Sequence, residues 1–287
     1  MHSFPSIPFQ RPDGNALPFE LIPLQPFGSR PRFYTSYHRA AFTELWYVQE
    51  GVCEQSIDLK HYRLEPDCIG IVPRGAITLK GDTSSLGGWL IIFAEEFLTM
   101  EQQRVVAELS IFHPLSEQHL VSLRADERSE FDALMHLWQH EYRNSTYPYY
   151  QTVMQHLVMT FLLKLEHLVQ QTQPDRPAEA KQMYCSFAQV LERHFTQQHS
   201  VEFYAHHLHT TPRKLSDALK EAVGKTTQEL LLERLMVEAK RYLAYTTLTV
   251  KEIADALGFH NPFYFSRIFK KKVGRSPDHF KQHLAAQ

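Results

Sequence analysis

The sequence predicts an α+β chain: a strand-rich N-terminal barrel with a helical pair, then an all-α C-terminal domain of two helix-turn-helix units joined by a helix. Three observations predict it. Between Arg32 and Phe97, short apolar or alternating runs are separated by turn residues, the pattern of a small barrel or sandwich. Between Asp126 and Gln170, apolar side chains recur at helical spacing. Between Val201 and Gly274, short helical patterns are punctuated twice by a capping residue followed by proline.

In chain order, residues 1–30 are rich in Pro and Phe without sustained periodicity. They are expected to be an arm, packed on the next domain or frayed. The barrel is placed at residues 31–100. Its strands are Leu45-Trp46-Tyr47-Val48, Ser56-Ile57-Asp58-Leu59, Cys68-Ile69-Gly70-Ile71-Val72 and Trp89-Leu90-Ile91-Ile92-Phe93. Glu50-Gly51, Glu65-Pro66-Asp67, Pro73-Arg74-Gly75 and Gly87-Gly88 supply turns. Residues 101–171 form a helical region. Phe131, Leu134, Met135 and Trp138 mark one helix. Val153, Leu157, Val158, Phe161, Leu162, Leu165 and Leu168 mark the next. Such apolar stripes demand burial, against the barrel or against a second copy in a homodimer. The polar, proline-containing stretch at residues 172–180 reads as a linker, and residues 181–287 as the second domain.

The chain has 287 residues, enough for two domains. Hydrophobic content of 43% and charged content of 22% are ordinary for a globular protein. No apolar run reaches the roughly 18 residues of a membrane span. The N-terminus lacks a basic start followed by an apolar stretch, so no secretory signal is expected and cytoplasm is the expected location. Cys53, Cys68 and Cys185 make no disulfide framework and read as small buried hydrophobes. The net charge of −2 hides an asymmetry. Residues 181–287 hold 16 Lys/Arg against 10 Asp/Glu, and residues 1–180 hold 14 against 22. A domain of charge +6 beside one of −8 points to the second half as the part that meets phosphates.

In the last helix-turn-helix, Ile253, Ala254 and Leu257 share an apolar face and Gly258 ends the first helix. Asn261-Pro262 opens the second, Asn as cap and Pro at the first position. Phe265, Ile268 and Phe269 turn inward; Ser266, Arg267 and Lys270 point outward, and Gly274 closes the helix. Upstream, Val201–Leu208 forms a helix with Ala205 at the tight position, followed by the turn His209-Thr210. Thr211-Pro212 starts the helix that ends at Gly224. Leu230, Leu231, Leu235, Ala239 and Leu243 mark a long helix between the two units.

This C-terminal half resembles the AraC/XylS family of bacterial transcription regulators. Ile253-Ala254, Leu257-Gly258-Phe259, Tyr264-Phe265-Ser266-Arg267, Phe269-Lys270, Gly274 and Pro277 carry the likeness. Arg234, Ala239 and Leu243 match the family's linking helix. The N-terminal half resembles the cupin-type sensor of the same family through Glu44-Leu45, Glu50-Gly51, Ile57-Asp58, Tyr62-Arg63-Leu64, Ile71-Val72-Pro73 and Phe93. The resemblance implies a cupin-like barrel, a small-molecule effector, promoter DNA as partner, and RNA polymerase if the regulator activates. The departures are Asp217, where many members carry a basic or polar group, and Ala218-Leu219 in place of a larger apolar–aromatic pair.

Two recognition helices on one rigid linker are expected to enter successive major grooves about 34 Å apart. Arg213, Ser216, Asp217, Asn261, Phe263, Ser266 and Arg267 are the candidate base readers: Arg for guanine, Phe for a thymine methyl, Asp for cytosine N4. Lys214, Lys220, Lys270, Lys271 and Lys272 suit phosphates. Tyr37, His38, Glu44, Trp46 and Ile71 are candidate effector contacts. A ligand-independent regulator and a cupin-type enzyme fused to a DNA-binding domain are the alternatives. Against the enzyme, His38 and His61 each lack a neighbouring His. His206-His207-x-His209 has ligand-like density but no Cys or carboxylate cluster beside it, and His136-x-x-x-His140-Glu141 lacks the internal Glu of a zincin, so both are expected to be surface groups, with metal the minor alternative. No metal, cofactor or catalytic residue is expected, and the chain holds no Gly-rich phosphate loop or Gly-x-Ser-x-Gly elbow.

Overall fold

Ten strands and ten α-helices are laid out in a computed structural model that describes residues 6–7, 17–24, 38–112, 116, 118–171 and 177–285. The chain divides into two units, with the main boundary between residues 173 and 174. In the N-terminal unit the strands are β1 (Ser6–Ile7), β2 (Phe19–Leu24), β3 (His38–Ala40), β4 (Thr43–Glu50), β5 (Cys53–Ile57), β6 (Lys60–Leu64), β7 (Cys68–Val72), β8 (Ile77–Lys80), β9 (Gly87–Phe93) and β10 (Leu120–Ser122). They form two sheets, ordered β1-β3-β8-β5-β6 and β10-β7-β4-β9-β2. No ladder joins the sheets among the described residues. The expected closed barrel is therefore a two-sheet arrangement with open edges.

The period of two explains the layers. In β4, Leu45 and Tyr47 point to one face and Glu44, Trp46 and Val48 to the other, and all five are buried. Trp46 and Val48 join Ile22, Leu90 and Ile92 against Ala40, Cys53, Ile57 and Leu64 of the first sheet. Leu45 and Tyr47 join Phe19, Ile69, Ile71 and Ile91 under the helices α2 (Ala125–Arg143) and α3 (Tyr150–Gln171). The second sheet is thus covered on both faces, which is why its strands read as near-continuous apolar runs. Phe19 stacks on Phe97 at 4.9 Å and on Trp138 at 5.9 Å. Each apolar side chain buried this fully stabilises by about 1.5–3 kcal/mol.

Several elements were not expected individually, among them the following three. Phe19–Leu24, assigned to the arm, is an edge strand paired with β9. Its Pro23 is tolerated at a sheet edge, where a missing N–H breaks no inner ladder. Leu120–Ser122, assigned to the helical region, pairs with β7. The helix α1 (Met100–Glu108) starts at a capping box in which Thr99 accepts from the Gln102 backbone and Gln102 reaches back. At the β4–β5 corner, Gly51 has φ +78°, and a Cβ there would lie 2.0 Å from the Ser85 carbonyl oxygen.

The C-terminal unit is helical: α4 (Ala178–His194), α5 (Val201–His207), α6 (Pro212–Val223), α7 (Thr227–Tyr245), α8 (Val250–Ala256), α9 (Pro262–Val273) and α10 (Pro277–Ala285). Its core collects Phe187 and Leu191 of α4, Leu215 and Leu219 of α6, Leu230, Leu235 and Ala239 of α7, and Phe265 and Phe269 of α9. The helices α4 and α10 were not expected individually. Among the described residues no helix is long and apolar enough to cross a membrane.

Candidate nucleic-acid interface

The helix α9 begins where Asn261 Oδ1 accepts from the backbone N–H of Phe263 at 2.8 Å and Tyr264 at 3.2 Å. Asn261 was expected to read a base. Its carbonyl oxygen is spent on the cap, which leaves its amide NH2 as the group it can offer to one. Phe265 and Phe269 are buried. Phe263 is 86% exposed, and Arg267, Lys270, Lys271 and Lys272 are exposed with it. Ser266 is half-buried at the edge of this face. The Arg267 guanidinium lies 5.4 Å from the Tyr264 ring centre, a cation–π contact that orients it across the helix surface. No acidic residue occurs between Pro262 and Val273.

In α6 the Thr211 side chain caps Lys214 N at 3.3 Å, and Leu215 and Leu219 are buried. Leu219 therefore fills the core position despite the departure noted at Ala218-Leu219. Arg213, Lys214, Asp217 and Lys220 are exposed, with Ser216 half-buried. Arg213 Nε lies 3.9 Å from Asp217 Oδ2, one turn along the helix. Such an exposed pair contributes only about 0.3–0.5 kcal/mol, so Arg213 can exchange Asp217 for an incoming acceptor. Lys220 and Lys272, near the ends of the two recognition helices, both act on Glu229. Hydrogen bonding from the Thr226 backbone holds that carboxylate below its ordinary pKa, and the two lysines add to the effect.

Both units are fixed to α7. Arg234 of α7 makes two hydrogen bonds to Glu192 of α4, at 2.7 and 2.8 Å, and a third to Glu238 at 3.1 Å. Glu238 also accepts from Arg241 at 2.9 Å, and the Arg234 guanidinium stacks 4.0 Å over Phe195. The Arg234 side chain is 4% exposed. Full pairing offsets its desolvation and fixes α4 against α7. The α8–α9 turn is braced from outside: His199 packs on Phe259 at 5.0 Å. Burial holds the His199 imidazole below its ordinary pKa.

A family model described as a helix-turn-helix domain matches residues 204–283. The HTH-type transcriptional regulator YfiF of Bacillus subtilis is 22% identical over 87% of this chain and 79% of its own length. The bifunctional transcriptional activator/DNA repair enzyme AdaA of the same organism is 31% identical over 33% of this chain, which spans 44% of AdaA. The arabinose operon regulatory protein of Salmonella typhimurium is 28% identical over 32% of this chain and 34% of its own.

Residues 204–283 carry a helix-turn-helix domain of the AraC/XylS type.

That domain is the kind found in DNA-binding transcription regulators, and it lies in the C-terminal unit. Its N-terminal candidates separate. Tyr37 lies outside the described residues. His38, Glu44 and Trp46 are buried on strands lining the space between the sheets. Ile71 is not with them. It sits under α2 and α3 with Leu45, because alternation sends residues 71 and 72 to opposite faces.

Sequence reasoning missed Lys80, Gln55 and Thr78. Lys80 Nζ donates to Glu44 at 3.0 Å, Trp46 Nε1 donates to the same carboxylate at 2.9 Å, and the ammonium lies 5.0 Å from the Trp46 ring centre. Gln55 Nε2 donates to Thr78 Oγ1 at 3.3 Å. Gln55 Oε1 is buried without a hydrogen-bond partner among the described residues. The alternation Thr78-Leu79-Lys80 signals that Thr and Lys share a face, but not that the face is internal. Among the described residues no group of three or more His, Cys, Asp or Glu is placed to hold a metal.

Proposed function

We propose that α6 and α9 read a bipartite duplex site through successive major grooves. The observation that carries this is the pair of capped helices, each with an exposed polar face, fixed to one helix α7. Arg267, Ser266 and Phe263 read bases from α9, with Asn261 contributing its amide NH2. Lys270, Lys271 and Lys272 hold phosphates. In α6, Arg213, Ser216 and Asp217 meet bases, while Lys214 and Lys220 meet the backbone. Because α6 mixes cations with Asp217 and Glu221 whereas α9 carries only cations, α9 anchors the complex and α6 adds selectivity. The partner is promoter DNA in a bacterial cytoplasm, with RNA polymerase as a further partner where the outcome is activation.

The N-terminal unit senses a small-molecule effector and pairs two copies of the chain. Leu137 of α2 and Leu163 of α3 support the pairing, being 51% and 47% exposed on neighbouring helices. His38, Glu44 and Trp46 belong to the interior reading of the effector site. A second reading, a regulator without an interior ligand, is favoured by one observation: Glu44, Lys80 and Trp46 already satisfy one another.

The test is selection of full-length protein on random duplexes, sequenced with and without metabolite extract. An enriched bipartite site with parts one helical turn apart supports two working readers, and a shift with extract supports the sensor. One short enriched site reduces α6 to a clamp. No enrichment at moderate salt removes the reading.

A further inference from the structure

We propose that the N-terminal unit binds a small organic monocarboxylate in a cleft outside the space between its sheets. The cleft, about 220 Å³, lies beside α1 at the end of the second sheet. It is smaller than the ~300–1,000 Å³ of drug-sized sites, so it fits a compact molecule. The inference rests on reading this unit as a sensor, and it moves the site away from Glu44 and Trp46.

The chemistry of the lining names the ligand class. Phe93, Leu98, Val106 and Phe112 give apolar walls, suited to an aliphatic or phenyl body. Arg74 and Glu95 line the same cleft and pair with each other through Arg74 Nη1. That contact engages one nitrogen of a guanidinium that carries five N–H donors. A second carboxylate can then take up the fork geometry, with two parallel N–H···O bonds. One guanidinium serving two carboxylates is already realised in this chain, where Arg234 holds both Glu192 and Glu238. An ammonium ligand has no fork to match and would meet Glu95 beside a fixed cation. The floor of the cleft is held in place by Gln103, whose amide donates to the carbonyls of Glu95 and Leu98 at 3.0 and 2.9 Å.

The test is calorimetric titration of full-length protein with 3-phenylpropionate and hexanoate, each beside its primary amide. Saturable binding of an acid, with its amide at least about tenfold weaker, is expected from loss of the charge-assisted pair. Arg74→Gln should weaken the acid about tenfold, and Val106→Trp should abolish binding by filling the cleft, while Gln55→Leu between the sheets leaves it unchanged. Arg74 is half-exposed, so its variant keeps the fold. Acid and amide binding alike, or both cleft variants binding like the parent, overturns the assignment. Loss of binding in Gln55→Leu alone does so too, yet leaves the sensor reading standing. If neither acid binds, the cleft assignment falls. Duplex binding that also ignores metabolite extract then removes the sensor reading as well.

Discussion

A Cβ placed on Gly258 would lie 2.0 Å from the carbonyl oxygen of Thr196. The turn between α8 and α9 therefore rests directly on the segment between α4 and α5, and the two helix-turn-helix units share a joint at backbone level. Gly258 also has φ +77°, a conformation that L side chains adopt at a cost. Steric and conformational penalties add in Gly258→Ala, which should lower stability by about 2–4 kcal/mol. Urea unfolding of the full chain, followed at the transition of the C-terminal unit, checks this. An unchanged midpoint would mean that the joint yields freely.

His199 braces the same joint and should make it sensitive to acid. Burial is the largest cause of its depressed pKa, with His260 adding to it and the carbonyls of Leu257 and Phe195 opposing. The unfolded imidazole titrates near 6.5. As the pH falls through that value the unfolded chain takes up a proton that the folded chain resists, so stability is fully present above 6.5 and declines below it. His199→Gln should show a smaller loss of stability between pH 7 and pH 5.5 than the parent. Parallel profiles for the two proteins would remove His199 as the sensitive group.

Arg267, oriented by Tyr264, should read a base. Arg267→Ala should cost about 1–3 kcal/mol of specific affinity and relax one position of the site. Competition binding against single-position variants of the selected duplex measures both. Preserved preference at every position would sink the assignment.

Lys271 should act on phosphate alone. Lys271→Ala should weaken all duplexes alike and flatten the salt dependence by about one unit. Affinities measured across a series of salt concentrations decide it, and an unaltered slope counts against the contact.

Leu137 and Leu163 should lie in the homodimer interface. Leu137→Glu places a charge on that surface while leaving the buried Phe131, Met135 and Trp138 untouched. Sedimentation should show a dimer for the parent and a shift toward monomer for the variant. Identical behaviour would place the pairing surface elsewhere.

The recognition helices were legible because their signals are local. Asn261-Pro262 with Gly274, and Thr211-Pro212 with Gly224, act through hydrogen bonds spanning a few residues. Those caps form as their residue types require. The strand β4 was legible as a short apolar run bounded by Glu50-Gly51.

What depended on distant partners was not legible. The segment FELIPL becomes a strand only because β9 lies beside it. Alternation predicts that Ile71 and Val72 face opposite ways, but not which side holds the helices and which the first sheet. Arg234 reads as the basic position of a linking helix, but its partner Glu192, 42 residues earlier, is not visible in the sequence. The cleft beside Arg74 draws on residues from Thr43 to Phe112. Sequence alone determined the recognition helices, their caps and their exposed cations. Tertiary structure decided which faces became interior, because burial and long-range pairing belong to the partner as much as to the residue.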